Sequence, residues 1–269
     1  MLIENRLLKL LFRLFIAGVL LFISAPMLVI MVMSFNEARS LTLPVQGVTT
    51  DWYANYFQSS QWMTATVTSL QIGSLTALLT TALATLAAYA LTRGTFKGKD
   101  IAYVLLITPL VVPTMVLAIA FYFYFSDLGV TGNLFTVVLG HTVITFPIVL
   151  VTISSSLQGV SANLERASMS LGASRLTTFF RVVFPLMVPG MVSGALFSFL
   201  LSFDELLVPL FLGGVGIVTL PTQIWGMLNF NFDQTISAVS TIIIVVMAFL
   251  LVLVQSLTSR TEKKRGQQS

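Results

Sequence analysis

Residues 134–203 read LFTVVLGHTVITFPIVLVTIS (134–154), SSLQGVSANLERASMSLGASRLTTFFRVVFP (155–185) and LMVPGMVSGALFSFLLSF (186–203). Two apolar stretches flank a segment of about 30 residues, longer than most connectors. That segment carries charge, small residues and a glycine. Roughly 20 predominantly apolar residues cross a bilayer as a helix, and the flanks read as two such crossings joined by a polar segment.

The rest of the chain repeats this alternation. Six apolar spans are expected: Leu14–Ser34, Met63–Thr92, Ile101–Phe125, Leu134–Ser154, Leu186–Phe203 and Ile236–Leu257. The second exceeds one crossing, so it tilts or projects beyond the bilayer. Leu206–Leu212 is too short to span. Gly213, Gly214, Gly216 and Pro221 follow it, which marks a loop or short re-entrant piece. Pro26, Pro109, Pro113 and Pro147 fall inside spans, where proline frees carbonyls and bends helices. The fold class is an all-α integral membrane protein with six transmembrane helices.

Composition agrees. The 269 residues are 56% hydrophobic and 9% charged, with mean hydropathy +0.95, whereas soluble domains are about 25% charged. Cys is absent and His occurs once, which excludes a disulfide framework, a thiol nucleophile and a multi-histidine metal site. The net charge of +4 is explained by topology. Arg6, Lys9 and Arg13 precede span one, and Arg93, Lys97 and Lys99 follow span two. Arg166, Arg175 and Arg181 follow span four, and Arg260, Lys263, Lys264 and Arg265 follow span six. Thirteen of the fourteen basic residues thus share one side, with only Arg39 opposite. Short cytoplasmic segments collect Lys and Arg, so both termini are expected in the cytoplasm. Span one stays apolar as far as Met33, beyond the 7–15 residues or so of a cleavable signal, and is read as uncleaved.

In the segment between spans four and five, Ser161 suits a helix cap, with Glu165 in the first turn. Gly172 suits the left-handed residue that ends a helix, and Ser174 suits the next cap. A second helix is expected from about Arg175 to Phe184, before Pro185 opens span five. Leu164, Ala167 and Leu171 share one face of the first helix. An interfacial helix resting on lipid headgroups fits the composition equally well.

The segment resembles the cytoplasmic coupling loop of permease subunits of binding-protein-dependent (type I) ABC importers, whose pattern is E-A-A, three residues, G, nine residues, I-x-L-P. Gly172 and Val182 have that spacing, and Phe184-Pro185 occupies the L-P position. Arg166 stands where the pattern has Glu, with Glu165 one residue earlier. Ala167 and Ser168 occupy the two Ala positions. The resemblance implies ATPase coupling by Glu165, Arg166, Ala167, Ser168, Gly172 and Pro185. Glu165 would stand in for the displaced motif carboxylate, although one residue turns it about 100° around the helix.

The resemblance extends over about residues 11–260 and is greatest to spermidine and putrescine permeases. Ser34-Phe35-Asn36, Asp51-Trp52-Tyr53, the stretch from Arg93 to Lys99, Ser202-Phe203-Asp204-Glu205, Leu220-Pro221 and Trp225 carry it. It implies a cytoplasmic segment 1–13, a permease domain 14–257 with a coupling loop at about 157–185, and a cytoplasmic tail 258–269, all in a bacterial inner membrane. The implied partners are an ATPase subunit dimer, a second permease and an extracytoplasmic solute-binding protein, with no nucleic acid. This chain would hold no cofactor; ATP and Mg would sit on the ATPases. The expected cargo is a polyamine, with opines, phosphonates and other small solutes as alternatives.

Acidic groups at membrane depth are functional candidates, and Phe203, Asp204 and Glu205 form the candidate substrate pathway. Two carboxylates beside an aromatic ring suit a polycation; the alternative is that they mark the helix exit. His141 is read as a polar residue satisfied between helices rather than a proton relay. Phe121–Phe125 are read as an interfacial aromatic anchor, and Asp127 and Asp233 as loop residues. Gly94–Asp100 departs from a phosphate loop in spacing and in lacking the Ser or Thr. The rival from another class is an ion-coupled secondary transporter using His141 or Asp204–Glu205. Such proteins carry more intramembrane charge and often an internal repeat, and neither is visible here. No convergent nucleophile–base or metal-ligand set points to an enzyme.

Overall fold

The computed structural model describes residues 6–38, 45–230 and 233–266, with side chains over 9–38, 45–230 and 233–252. Arg39 and the side chains of Arg6, Arg260, Lys263, Lys264 and Arg265, which enter the charge argument, lie outside the described residues. No strand forms among the described residues; one isolated bridge joins Asn36 and Val48. Among the described residues twelve helices follow one another: α1 Arg6–Met33, α2 Asp51–Gln58, α3 Ser60–Arg93, α4 Lys99–Ile107, α5 Thr114–Asp127 and α6 Leu134–Gln158, then α7 Ala162–Ser170, α8 Arg175–Thr178, α9 Phe184–Asp204, α10 Leu207–Leu212, α11 Leu220–Phe230 and α12 Thr235–Gly266.

Among the described residues, five helical stretches are long and apolar enough to cross a membrane: Lys9–Met33, Ser60–Arg93, Leu134–Gln158, Arg175–Asp204 and Thr235–Val252. The expected third span, Ile101–Phe125, is not one straight helix. Lys99–Leu110 and Thr114–Asp127 meet at 101°, and they make a sixth crossing only if the bent pair counts as one. Pro109 lies in a single 3-10 turn, Thr108–Leu110, and Pro113 precedes α5. Two prolines four residues apart remove two backbone donors and push the preceding residues away from helical geometry.

The fifth span also differs from expectation, because no break separates Arg175–Phe184 from it. Residues 175–204 are continuously helical through a π turn at Phe179–Val183, where the Phe184 amide bonds the Phe179 carbonyl. The wider turn admits Pro185 without a missing i→i−4 bond interrupting the helix.

The chain forms two compact units, one of residues 1–63 and 226–249, the other of 64–225 and 250–269. In the second unit, α6 packs most extensively on α9. The facing side of α9 carries Gly190, Gly194, Ser198 and Ser202, all buried and four residues apart. A Cβ at Gly190 would overlap the Ser156 side chain, and one at Gly194 would stand 3.0 Å from Val149 Cγ1. Small residues at this spacing let membrane helices approach closely, where dispersion and interhelical hydrogen bonds replace the hydrophobic effect. The bonds are present. Thr145 Oγ1 of α6 lies 3.1 Å from Thr80 Oγ1 of α3 and accepts from Ser198 Oγ of α9 at 3.0 Å.

Within the first unit, α1 carries its apolar surface outward, with Phe15, Leu21 and Phe22 among the exposed side chains. In hydrocarbon that exposure carries no penalty. At its end the chain folds into a hydrogen-bonded turn around Asn36, which is fully buried.

Candidate functional site

The segment between α6 and α9 begins with a cap: Ser161 accepts from the Asn163 amide at 3.3 Å and opens α7. Gly172 ends α7 at φ +89°, with its amide bonded to Met169 O at 3.0 Å and the Ala173 amide bonded to Ser168 O at 3.2 Å. This pair of bonds is the Schellman arrangement that a left-handed residue permits. Nothing lies within 4 Å of a Cβ built at Gly172, so the glycine is required by conformation and not by space. Ser174 then caps α8, accepting from the Thr177 amide at 3.2 Å. Ser168 Oγ and Thr178 Oγ1, 3.0 Å apart, tie the two limbs together across the corner.

The sequence-derived site residues divide into two groups. Arg166, Ala167, Gly172 and Pro185 are exposed, and Ser168 is half-buried. Leu171 and Leu176, 90% and 72% exposed, extend the same open surface with apolar groups. Glu165 is buried instead. Its Oε1 accepts from Arg93 Nε at 2.6 Å, and its Oε2 accepts from Tyr89 Oη at 3.4 Å. Glu165 therefore lies off the open face that carries Arg166, and its carboxylate is turned onto α3.

The second candidate set is also divided. Phe203 is buried at the end of α9, and Asp204 is exposed. Glu205 Oε1 accepts from the amides of Leu207 and Val208, at 2.8 and 3.3 Å, and so caps α10. Asp204 makes no side-chain hydrogen bond or ion pair among the described residues. Two residues before Asp204 on α9, Ser202 Oγ meets His141 Nδ1 of α6 at 2.6 Å, while the buried Nε2 of His141 has no partner among the described residues. The expectation of a satisfied histidine holds for one ring nitrogen only.

In the first unit the structure joins two stretches that lie apart in sequence. The Trp52 indole donates to Asn36 O at 2.8 Å, and Tyr53 Oη lies 2.7 Å from Ser34 Oγ. The Phe35 and Tyr53 rings stand 5.3 Å apart. Asn36 Oδ1 also accepts from the Ala38 and Gln46 amides at 3.2 and 3.0 Å. Beside this knot is a cavity of about 810 Å³ whose lining includes Glu37, Asp51, Trp52, Asn55 and Asp233. Asp233 is not free of structural duty, because it caps α12 through the Thr235 amide and hydroxyl.

Comparison with known proteins adds to this geometry. Residues 81–264 match the family model described as binding-protein-dependent transport system inner membrane component. The chain is 32% identical over 235 residues to the spermidine/putrescine transport system permease protein PotC of Haemophilus influenzae, covering 87% of this chain and 91% of that one. It is 31% identical over 251 residues to the putrescine transport system permease protein PotI of Escherichia coli K12, covering 91% and 89%. Among solved structures, a bacterial alginate ABC transporter in complex with alginate pentasaccharide-bound periplasmic protein superposes with a TM-score of 0.71. There the identity is 16%, over 95% of this chain and 94% of that one.

Proposed function

The chain belongs to the inner membrane components of binding-protein-dependent transport systems, and on that premise we propose that it carries a polyamine and is driven through the segment 157–185. It is a permease subunit of an ABC importer and not an enzyme. One observation carries the mechanical part of the reading. A capped helix, a left-handed glycine corner and a second capped helix expose Arg166, Ala167, Gly172, Leu171 and Leu176 between two membrane-spanning helices. Small and apolar groups on a rigid corner suit a groove on another protein.

The partners in this reading are an ATPase subunit dimer holding ATP and Mg, a second permease, and an extracytoplasmic solute-binding protein. The basic segments, including this loop and both termini, face the cytoplasm. Binding and hydrolysis of ATP move the ATPases, the loop passes that movement to α6 and α9, and the pathway alternates between outward and inward openings.

Polyamine cargo is supported by the names of the relatives, and by exposed Asp204 at the end of α9. The carboxylates around the cavity beside Trp52 have the sign a polycation requires. Mass spectrometry of the ligand that copurifies with the binding protein tests the cargo: spermidine or putrescine is expected, and a non-cationic ligand overturns it. Gly172→Pro tests the loop, because proline cannot adopt φ +89°. Loss of ATPase association is expected, and retained association contradicts the assignment.

A further inference from the structure

A single guanidinium at the end of α3 holds three elements. Arg93 Nε donates to Glu165 Oε1 of α7 at 2.6 Å, and Nη2 donates to the carbonyls of Val160 and, at 3.3 Å, Leu157. Leu157 is in the last turn of α6 and Val160 lies two residues beyond its end, where intrahelical donors run out and the helix dipole favours a cation. One turn earlier on α3, Tyr89 donates to Glu165 Oε2, and its ring meets Phe179 of the π turn edge-on at 4.9 Å. Tyr89 and Arg93 thus hold both limbs of the segment that follows α6. A cavity of about 760 Å³ lies at this place, with Leu86, Tyr89, Arg93, Glu165, Arg175 and Phe180 in its lining. Beside this cavity Ala88 and Leu91 of α3 share an apolar cluster with Val160 and Val183, and the polar side-chain bridges of Tyr89 and Arg93 add to that packing.

We propose that Arg93 and Glu165 form a transmission clamp that makes α3 a third span driven directly by the loop, beside α6 and α9 to which the chain already joins it. The proposal rests on the coupling reading of residues 157–185. Without the clamp, loop movement reaches α3 through apolar contacts alone, the Tyr89 ring on Phe179 among them. The side chains are 18% and 10% exposed, so solvent screens this pair less than a surface pair, and removing one partner strands the other charge. The clamp also gives the displaced carboxylate a purpose. At position 166 it would point about 100° away, among the exposed residues, and could not reach α3. Arg93 and Glu165 are positioning residues that act through the loop.

The test uses the complete complex in proteoliposomes, with spermidine as the transported probe. Glu165→Gln and Arg93→Gln are compared with the charge swap Arg93→Glu/Glu165→Arg. ATPase retention, ATP hydrolysis and uptake per ATP are measured for each. In parallel, spin labels at Leu86→Cys and Ser170→Cys, feasible because the chain has no native cysteine, report the distance from α3 to the loop with and without ATP. The clamp predicts full ATPase retention in Glu165→Gln and uptake per ATP lower by at least about fivefold, the low end of a typical coupling energy. It also predicts partial recovery in the swap, and a label distance that stays constant with nucleotide in the native background but shifts in Glu165→Gln. Unchanged uptake per ATP, release of the ATPase from Glu165→Gln, or a nucleotide-dependent distance in the native background overturns it. Failure of the underlying coupling reading looks different: Gly172→Pro, with the clamp intact, would then keep its ATPase.

Discussion

At the scale of single residues, burial separates side chains that hold the fold from those open to a partner or cargo. Glu205 caps α10 through two amides, so Glu205→Ala should lower stability by about 1 kcal/mol, read as a lower Tm of the detergent-solubilised protein. Asp204, exposed and without a side-chain partner among the described residues, should behave oppositely. Asp204→Asn should leave Tm unchanged and lower uptake of a polycation; unchanged uptake would remove it from the pathway. The adjacent acidic pair was plain in the sequence, but its division of labour was not. Which carboxylate meets the amides of α10 depends on how the chain leaves α9 (Glu205 at φ −73°, ψ 120°). For the same reason the Arg93–Glu165 pair, 72 residues apart, left only an out-of-register motif as its trace in the sequence.

At the scale of elements, the spans were legible because hydropathy averages over a window as long as a membrane crossing. Their internal geometry was not. Pro109 and Pro113 announced a bend, yet the 101° angle comes from their joint placement around one 3-10 turn. Pro185 announced a helix start and instead sits just after a π turn that keeps 175–204 continuous. The stripe Gly190, Gly194, Ser198 and Ser202 emerges only from the fold, because small residues four apart gain meaning once their partner α6 is known. Gly190→Ala should strain the α6–α9 contact by about 1–3 kcal/mol, as overpacking does, and reduce the yield of monodisperse protein on size exclusion. Gly226→Ala, with nothing within 4 Å of its Cβ, should be tolerated. Equal behaviour of the two would mean that the close approach at Gly190 carries no weight.

At the scale of the whole molecule, the proposed coupling makes this permease subunit a converter of movement at one loop into alternating access. Its orientation is testable with single cysteines in this cysteine-free chain. Val215, fully exposed between α10 and α11, should as Val215→Cys react with a membrane-impermeant maleimide added to intact cells. Ser170→Cys should react only after the membrane is opened, and reversed labelling would invert the topology. The most direct measurement of the central claim is solute accumulation in proteoliposomes, with the chain present alone and in its full complex. Accumulation is expected only with the ATPase subunits, binding protein and ATP, and is expected to be lost in Gly172→Pro. Accumulation by the purified chain alone, without ATP, would contradict it.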